Sequence, residues 1–109
     1  MQDEVKTLSQ TFFAVLAYPV PDPKRTNELR QRASQLAYYL RQHGLETARI
    51  QGMDGVNGGP PSWAVLVYVP DRAQQETYLE RLKAVEPPVF EPAFADRLKQ
   101  EINLLEFTH

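Results

Sequence analysis

Nine prolines set the limits of regular structure in this chain. They stand at positions 19, 21, 23, 60, 61, 70, 87, 88 and 92, and none falls inside an apolar run of regular period. Proline lacks a backbone N–H and pushes the residue before it out of the helical region, so each cluster closes one element and opens the next.

The first stretch so delimited, "TFFAVLAY" at 11–18, is apolar on both alternating sides. Phe12, Ala14, Leu16 and Tyr18 make one side and Phe13, Val15 and Ala17 the other. That is the pattern of a central strand covered on both faces or nearly so. "SWAVLVYV" at 62–69 has the same character. "ETARIQGM" at 46–53 alternates instead, with Ala48, Ile50 and Gly52 against Thr47, Arg49 and Gln51. It reads as a half-exposed edge strand on which Arg49 discourages edge-to-edge pairing.

Helical patterns fill the other stretches. After Asp22 as cap and Pro23 at the first position, Leu29, Ala33, Leu36, Ala37 and Leu40 recur as one stripe, and His43 and Gly44 supply the stop. Asp71 and Gln74 have the spacing of a capping box, ahead of a helix whose buried side is Tyr78, Leu79, Leu82 and Val85. Pro92 opens a third helix in which Phe94, Leu98, Ile102 and Leu105 share a face, although the tail "LLEFTH" also suits a short strand. In a split β-α-β sheet the first and third strands lie inside and the second at an edge. The face patterns therefore predict one α+β domain over residues 1–109. The expected form is a ferredoxin-like (β-α-β-β-α) sandwich, a small antiparallel sheet with helices on one face and an extra C-terminal helix or short strand.

Composition narrows the chemistry. The chain has no cysteine, which removes disulfides, thiolate metal sites and a cysteine nucleophile. It has no run long and apolar enough for a membrane span, and its first ten residues are polar and acidic, unlike a secretory signal. A cytoplasmic location is the expectation. The net charge of −2 offers no general attraction to nucleic acid, although residues 24–49 carry +4 and residues 50–109 carry −4. Opposed charges of this kind permit a homo-oligomer.

Four of the five glycines fall in "QGMDGVNGGPPSW", residues 51–63. A phosphate-binding P-loop needs a lysine that this segment lacks, the dinucleotide fingerprint needs a following helix, and the calcium-loop pattern fails after Asp54. Asp54–Gly55 and Asn57–Gly58 are turn dipeptides, so the segment reads as a long hairpin loop. Its length makes Asp54, Asn57 and Trp63 a secondary contact site. The two histidines, His43 and His109, lack metal-ligand spacing, and no triad or paired carboxylate is visible. No cofactor, metal or catalytic residue is expected.

The most informative surface is the outer face of the first helix. Opposite the leucine stripe lie Asn27, Gln31, Ser34, Gln35, Tyr38 and Gln42, none of them charged, flanked by Arg30, Arg32 and Arg41. Exposed helix faces ordinarily carry charge, whereas tyrosine and arginine are enriched where proteins meet. The expectation is a non-catalytic protein–protein interaction module, a small regulator, adaptor or assembly component. Its contact residues would be Arg30, Gln31, Ser34, Tyr38 and Arg41. Two alternatives stand beside it. One is a cofactor-free small-molecule enzyme of the ferredoxin-like dimer type, with a cavity lined by Phe12, Tyr18 and Trp63. The other is a weak single-stranded RNA binder using strand aromatics, which the missing aromatic–glycine consensus and negative charge disfavour.

Overall fold

In a computed structural model, which describes residues 9–55, 57–99 and 104–108, the proline-bounded stretches take up the expected elements. They are β1 (Ser9–Pro19), α1 (Thr26–Gln42), β2 (Ala48–Met53), β3 (Ser62–Tyr68), α2 (Gln75–Ala84), α3 (Pro92–Lys99) and β4 (Leu104–Thr108). Short 3-10 turns at Pro23–Arg25 and Arg72–Gln74 lead into α1 and α2. Asp22 and Asp71 cap these turns, accepting from the backbone N–H groups of Lys24 and Ala73 at 3.0 and 3.2 Å. Each carboxylate thus serves a donor that the helix itself leaves open. At the far end of α1, Gly44 adopts a φ of 91°, and Leu45 N–H returns to Leu40 O at 3.1 Å. That left-handed stop is one that glycine reaches without strain.

The strands form one antiparallel sheet in the order β2-β3-β1-β4, so the two strands apolar on both sides are inner and the alternating one lies at an edge. The protein is therefore α+β. All three helices contribute to a single core on one face of the sheet. Leu29, Ala33, Leu36, Ala37 and Leu40 of α1, Tyr78 and Leu82 of α2 and Phe94 of α3 meet Phe13, Val15, Val65 and Val67. Burying each leucine fully contributes about 1.5–3 kcal/mol, which makes the α1 stripe the largest helical share of that core. The opposite sheet face holds a smaller cluster of Phe12, Ala64 and Leu66, with Ala14 and Tyr68 beside it.

Two expectations are corrected. Strict alternation put Tyr18 on the same side as Phe12, but β1 carries a bulge between Ala14 and Leu16. Val15 and Leu16 together oppose Val65, both pack into the helix-side core, and the alternation inverts beyond them. Tyr18 consequently faces the helices with Trp63. The second correction concerns the C-terminal helix. It ends at Lys99, and Leu105 lies on β4, paired with Phe12, so it shares no helical face with Phe94. Ile102 lies outside the described residues.

The glycine-rich segment is a turn. Asn57 and Gly58 have φ of 54° and 77°, the paired left-handed values of a tight hairpin turn. A Cβ on Gly55 would collide with the Gly59 carbonyl, so the loop closes on its own backbone there. Replacing Leu36 by alanine is expected to cost about 2–5 kcal/mol, and Gly58→Ala about 1 kcal/mol, in urea unfolding of the purified chain.

Candidate functional site

The docking of α1 by its leucines fixes which residues point away. Asn27, Arg30, Gln31, Gln35, Tyr38, Arg41 and Gln42 are exposed and Ser34 is half-buried, as the helical phase requires. Part of this face is the floor of an open groove of about 810 Å3. Ser34, Tyr38 and Arg41 line it, joined by Gln35, Gln42, Tyr39 and His43 of the same helix end and by Phe90 from the segment after α2. Of the anticipated contact residues, Arg30 and Gln31 lie on the same outer side but nearer the start of α1, outside the groove lining.

The groove is rigidly built. Arg41 donates through Nη1 to the Ala48 carbonyl of β2 at 2.8 Å, and its guanidinium lies 5.8 Å from the centre of the Tyr38 ring. The Tyr39 hydroxyl donates to the Glu86 carbonyl at 2.8 Å, tying the proline-rich segment after α2 to α1. The His43 ring stacks on Tyr39 with centres 4.2 Å apart. His43 Nδ1 lies 2.7 Å from the Tyr39 carbonyl, which can only accept, so Nδ1 carries the hydrogen.

The contribution of the segment after α2 was not anticipated. Glu91 N–H bonds back to Pro88 O at 3.0 Å, making a turn whose ends, Pro88 and Glu91, are buried. Its two central residues are held outward: Val89 is 101% exposed and Phe90 43%. Tyr38, in the same groove lining, is 59% exposed. Sequence reasoning treated residues 87–92 as punctuation, yet the signal was present in two large apolar residues between prolines, "PPVFEP".

Glu91, only 2% exposed, anchors this turn beside Tyr18. The Tyr18 hydroxyl and Glu91 Oε1 are both buried without a partner at good hydrogen-bond geometry. They are near enough for the carboxylate to act on the phenol. Burial, then the approach and charge of Glu91, push the Tyr18 pKa far above the usual tyrosine range, against a smaller opposing effect of Arg32.

The loop residues separate. Asp54 and Trp63 line a small cleft of about 200 Å3 with Val20, Thr26 and Met53, while Asn57 sits at the exposed turn, outside it. Trp63 is half-buried against the main core, and a Cβ on Gly52 would stand 3.3 Å from its ring. On the other sheet face Arg49 lies 5.0 Å from the Tyr68 ring centre, and Phe12 is 1% exposed. Phe12 and Phe13 thus present no ring on which a base could stack. Among the described residues no cluster of histidine and carboxylate side chains is arranged for a metal, and no helix is long and apolar enough to cross a membrane. Comparison with protein-family models, with curated proteins and with solved structures finds no match.

The Tyr18 site makes a prediction. The fold holds the neutral phenol, so above the usual value of about 10 the unfolded chain releases a proton that the folded chain keeps. Stability should be unaffected by this group below pH of about 10 and fall by about 1.4 kcal/mol per pH unit above it. Urea unfolding through the alkaline range should show a slope one proton shallower in Tyr18→Phe than in the wild type.

Proposed function

We propose that this chain is a non-catalytic protein-interaction module, and that its contact surface is the groove between the outer face of α1 and the Pro88–Glu91 turn. The observation that carries this is the pair of solvent-facing aromatics, Tyr38 of α1 and Phe90 of the Pro88–Glu91 turn, that line one groove. Each is presented by backbone that is itself tied down, α1 by its leucine stripe and the turn by Tyr39 and Glu91. A lone apolar side chain in water is ordinary, but exposed apolar side chains gathered in one groove mark a surface that a partner covers. Tyrosine and arginine together, in a site that needs little ordering on binding, have the composition of an interface hot spot. The ferredoxin-like reading of the fold is in keeping with the strand order β2-β3-β1-β4 and its antiparallel pairing. A small regulator, adaptor or assembly component is the class of protein such a module belongs to. The small-molecule enzyme is less well supported, because the groove is open rather than enclosed and no acid and base converge in it.

The test is a quantitative pull-down from source-cell lysate with wild type, Tyr38→Ala and Phe90→Ala. Proteins retained by the wild type should be lost from both variants, corresponding to a drop in affinity of about thirtyfold or more. Folding stability should move by no more than about 0.5 kcal/mol, since both side chains face solvent. Undiminished capture by both variants would remove the groove from consideration.

A further inference from the structure

Along α1, Arg30, Ser34, Tyr38 and Arg41 are spaced i, i+4, i+8 and i+11, which places them on one stripe. The two arginines stand about 16 Å apart along the helix axis. Neither has a carboxylate partner among the described residues. The acid on this helix, Glu28, is taken by Arg25, whose Nε and Nη2 donate to its two oxygens at 3.3 and 2.7 Å. No acidic side chain lines the groove. Arg41 is also held in place, since its bond to the Ala48 carbonyl uses one nitrogen and leaves the rest of the fork unused beside the Tyr38 ring. The outer side of α1 therefore carries two cations without a carboxylate, Arg41 in the groove lining and Arg30 beyond it toward the helix start, with the exposed rings of Tyr38 and Phe90 in the lining beside Arg41.

Resting on the interaction reading of the same groove, we infer that its occupant is an acidic amphipathic helix of a partner protein. Such a helix lies along α1, sets apolar side chains against Tyr38 and Phe90, and carries carboxylates about 11 residues apart to meet Arg30 and Arg41. Charge complementarity selects this occupant. A basic or neutral helix of equal hydrophobicity would leave both arginines unpaired, with Arg41 partly desolvated at the groove. The fixed guanidinium of Arg41 suits a carboxylate, because its planar fork binds two oxygens together and little freedom is lost when it does so.

The test uses the full chain and two fluorescent peptides of about 18 residues each, designed as helices with the same leucine and phenylalanine face. One has glutamates about 11 residues apart at its ends, and the other has lysines there. Anisotropy titrations should show the glutamate peptide binding about tenfold more tightly at low salt, with the advantage shrinking as salt is added. Arg30→Glu, at a residue with no structural bond to lose, should remove much of that preference, and Arg30→Glu with Arg41→Glu should reverse it in favour of the lysine peptide. Equal binding of the two peptides, abolished by Tyr38→Ala, would overturn the acidic preference while leaving the groove an interaction site. Binding by neither peptide overturns this inference, and together with undiminished capture by Tyr38→Ala in the pull-down it removes the interaction reading as well. Self-association in sedimentation that Arg41→Glu prevents and the glutamate peptide fails to displace would make a second copy of the chain the occupant instead.

Discussion

The bulge in β1 is the constraint on which the arrangement of this protein turns. The inner strand pair β1–β3 can keep one register only until Ala14 meets Leu66; beyond it, two residues oppose Val65. The bulge sends Val15 and Leu16 together into the core that the helices cover. It also inverts the rest of the strand and turns Tyr18 inward, beside Glu91. Glu91 ends the turn that lifts Val89 and Phe90 into solvent. One added residue in a strand thus helps to determine where the turn that carries Phe90 stands, although the groove itself lies outside the sheet.

That chain of consequences explains which features could be read from residues alone. The α1 stripe was legible because its period and burial are both local properties: Leu29, Leu36 and Leu40 share a face whatever else the chain does. The edge position of β2 was legible for the same reason, since Ala48 and Ile50 alternate with polar neighbours. Tyr18 was misplaced because reading alternation assumes unbroken register, and the run from Phe12 to Tyr18 is apolar at every position, so nothing in it marks where the break falls. At the C-terminus, Phe94, Leu98, Ile102 and Leu105 fit a helical period as well as any true helix does. The strand at Leu104–Thr108 gains pairing along β1, which would otherwise expose unsatisfied backbone groups on that side.

The candidate site was half legible. Composition pointed to the outer face of α1, because an uncharged helical surface between arginines is unusual and needs no tertiary knowledge to notice. Phe90 was missed because its meaning depends on how residues 85–91 are clamped. Tyr39 holds Glu86 from one side, and burial of Pro88 and Glu91 holds the turn from below. Those contacts join positions 47 apart in sequence for the tyrosine bond alone, beyond any local pattern.

On the interaction reading proposed above, the clamping is what distinguishes this surface from incidental exposure. An isolated apolar side chain on a surface is ordinary, and its freedom to move would have to be surrendered on binding. Here much of that entropy is already lost on folding: Tyr38 sits on a helix fixed by five buried residues, Arg41 is bonded to the sheet edge, and the Phe90 backbone is closed by a turn. Glu91 shows that the arrangement has a cost, since a buried carboxylate oxygen without a partner costs about 1–3 kcal/mol or more that a smaller or apolar residue would not incur. A fold that only needed to end α2 and begin α3 could do so with a polar turn. Holding two apolar side chains outward on a turn that ends in a buried carboxylate opposes stability, and the proposed function accounts for that cost by the groove that Phe90 lines with Tyr38 and Arg41.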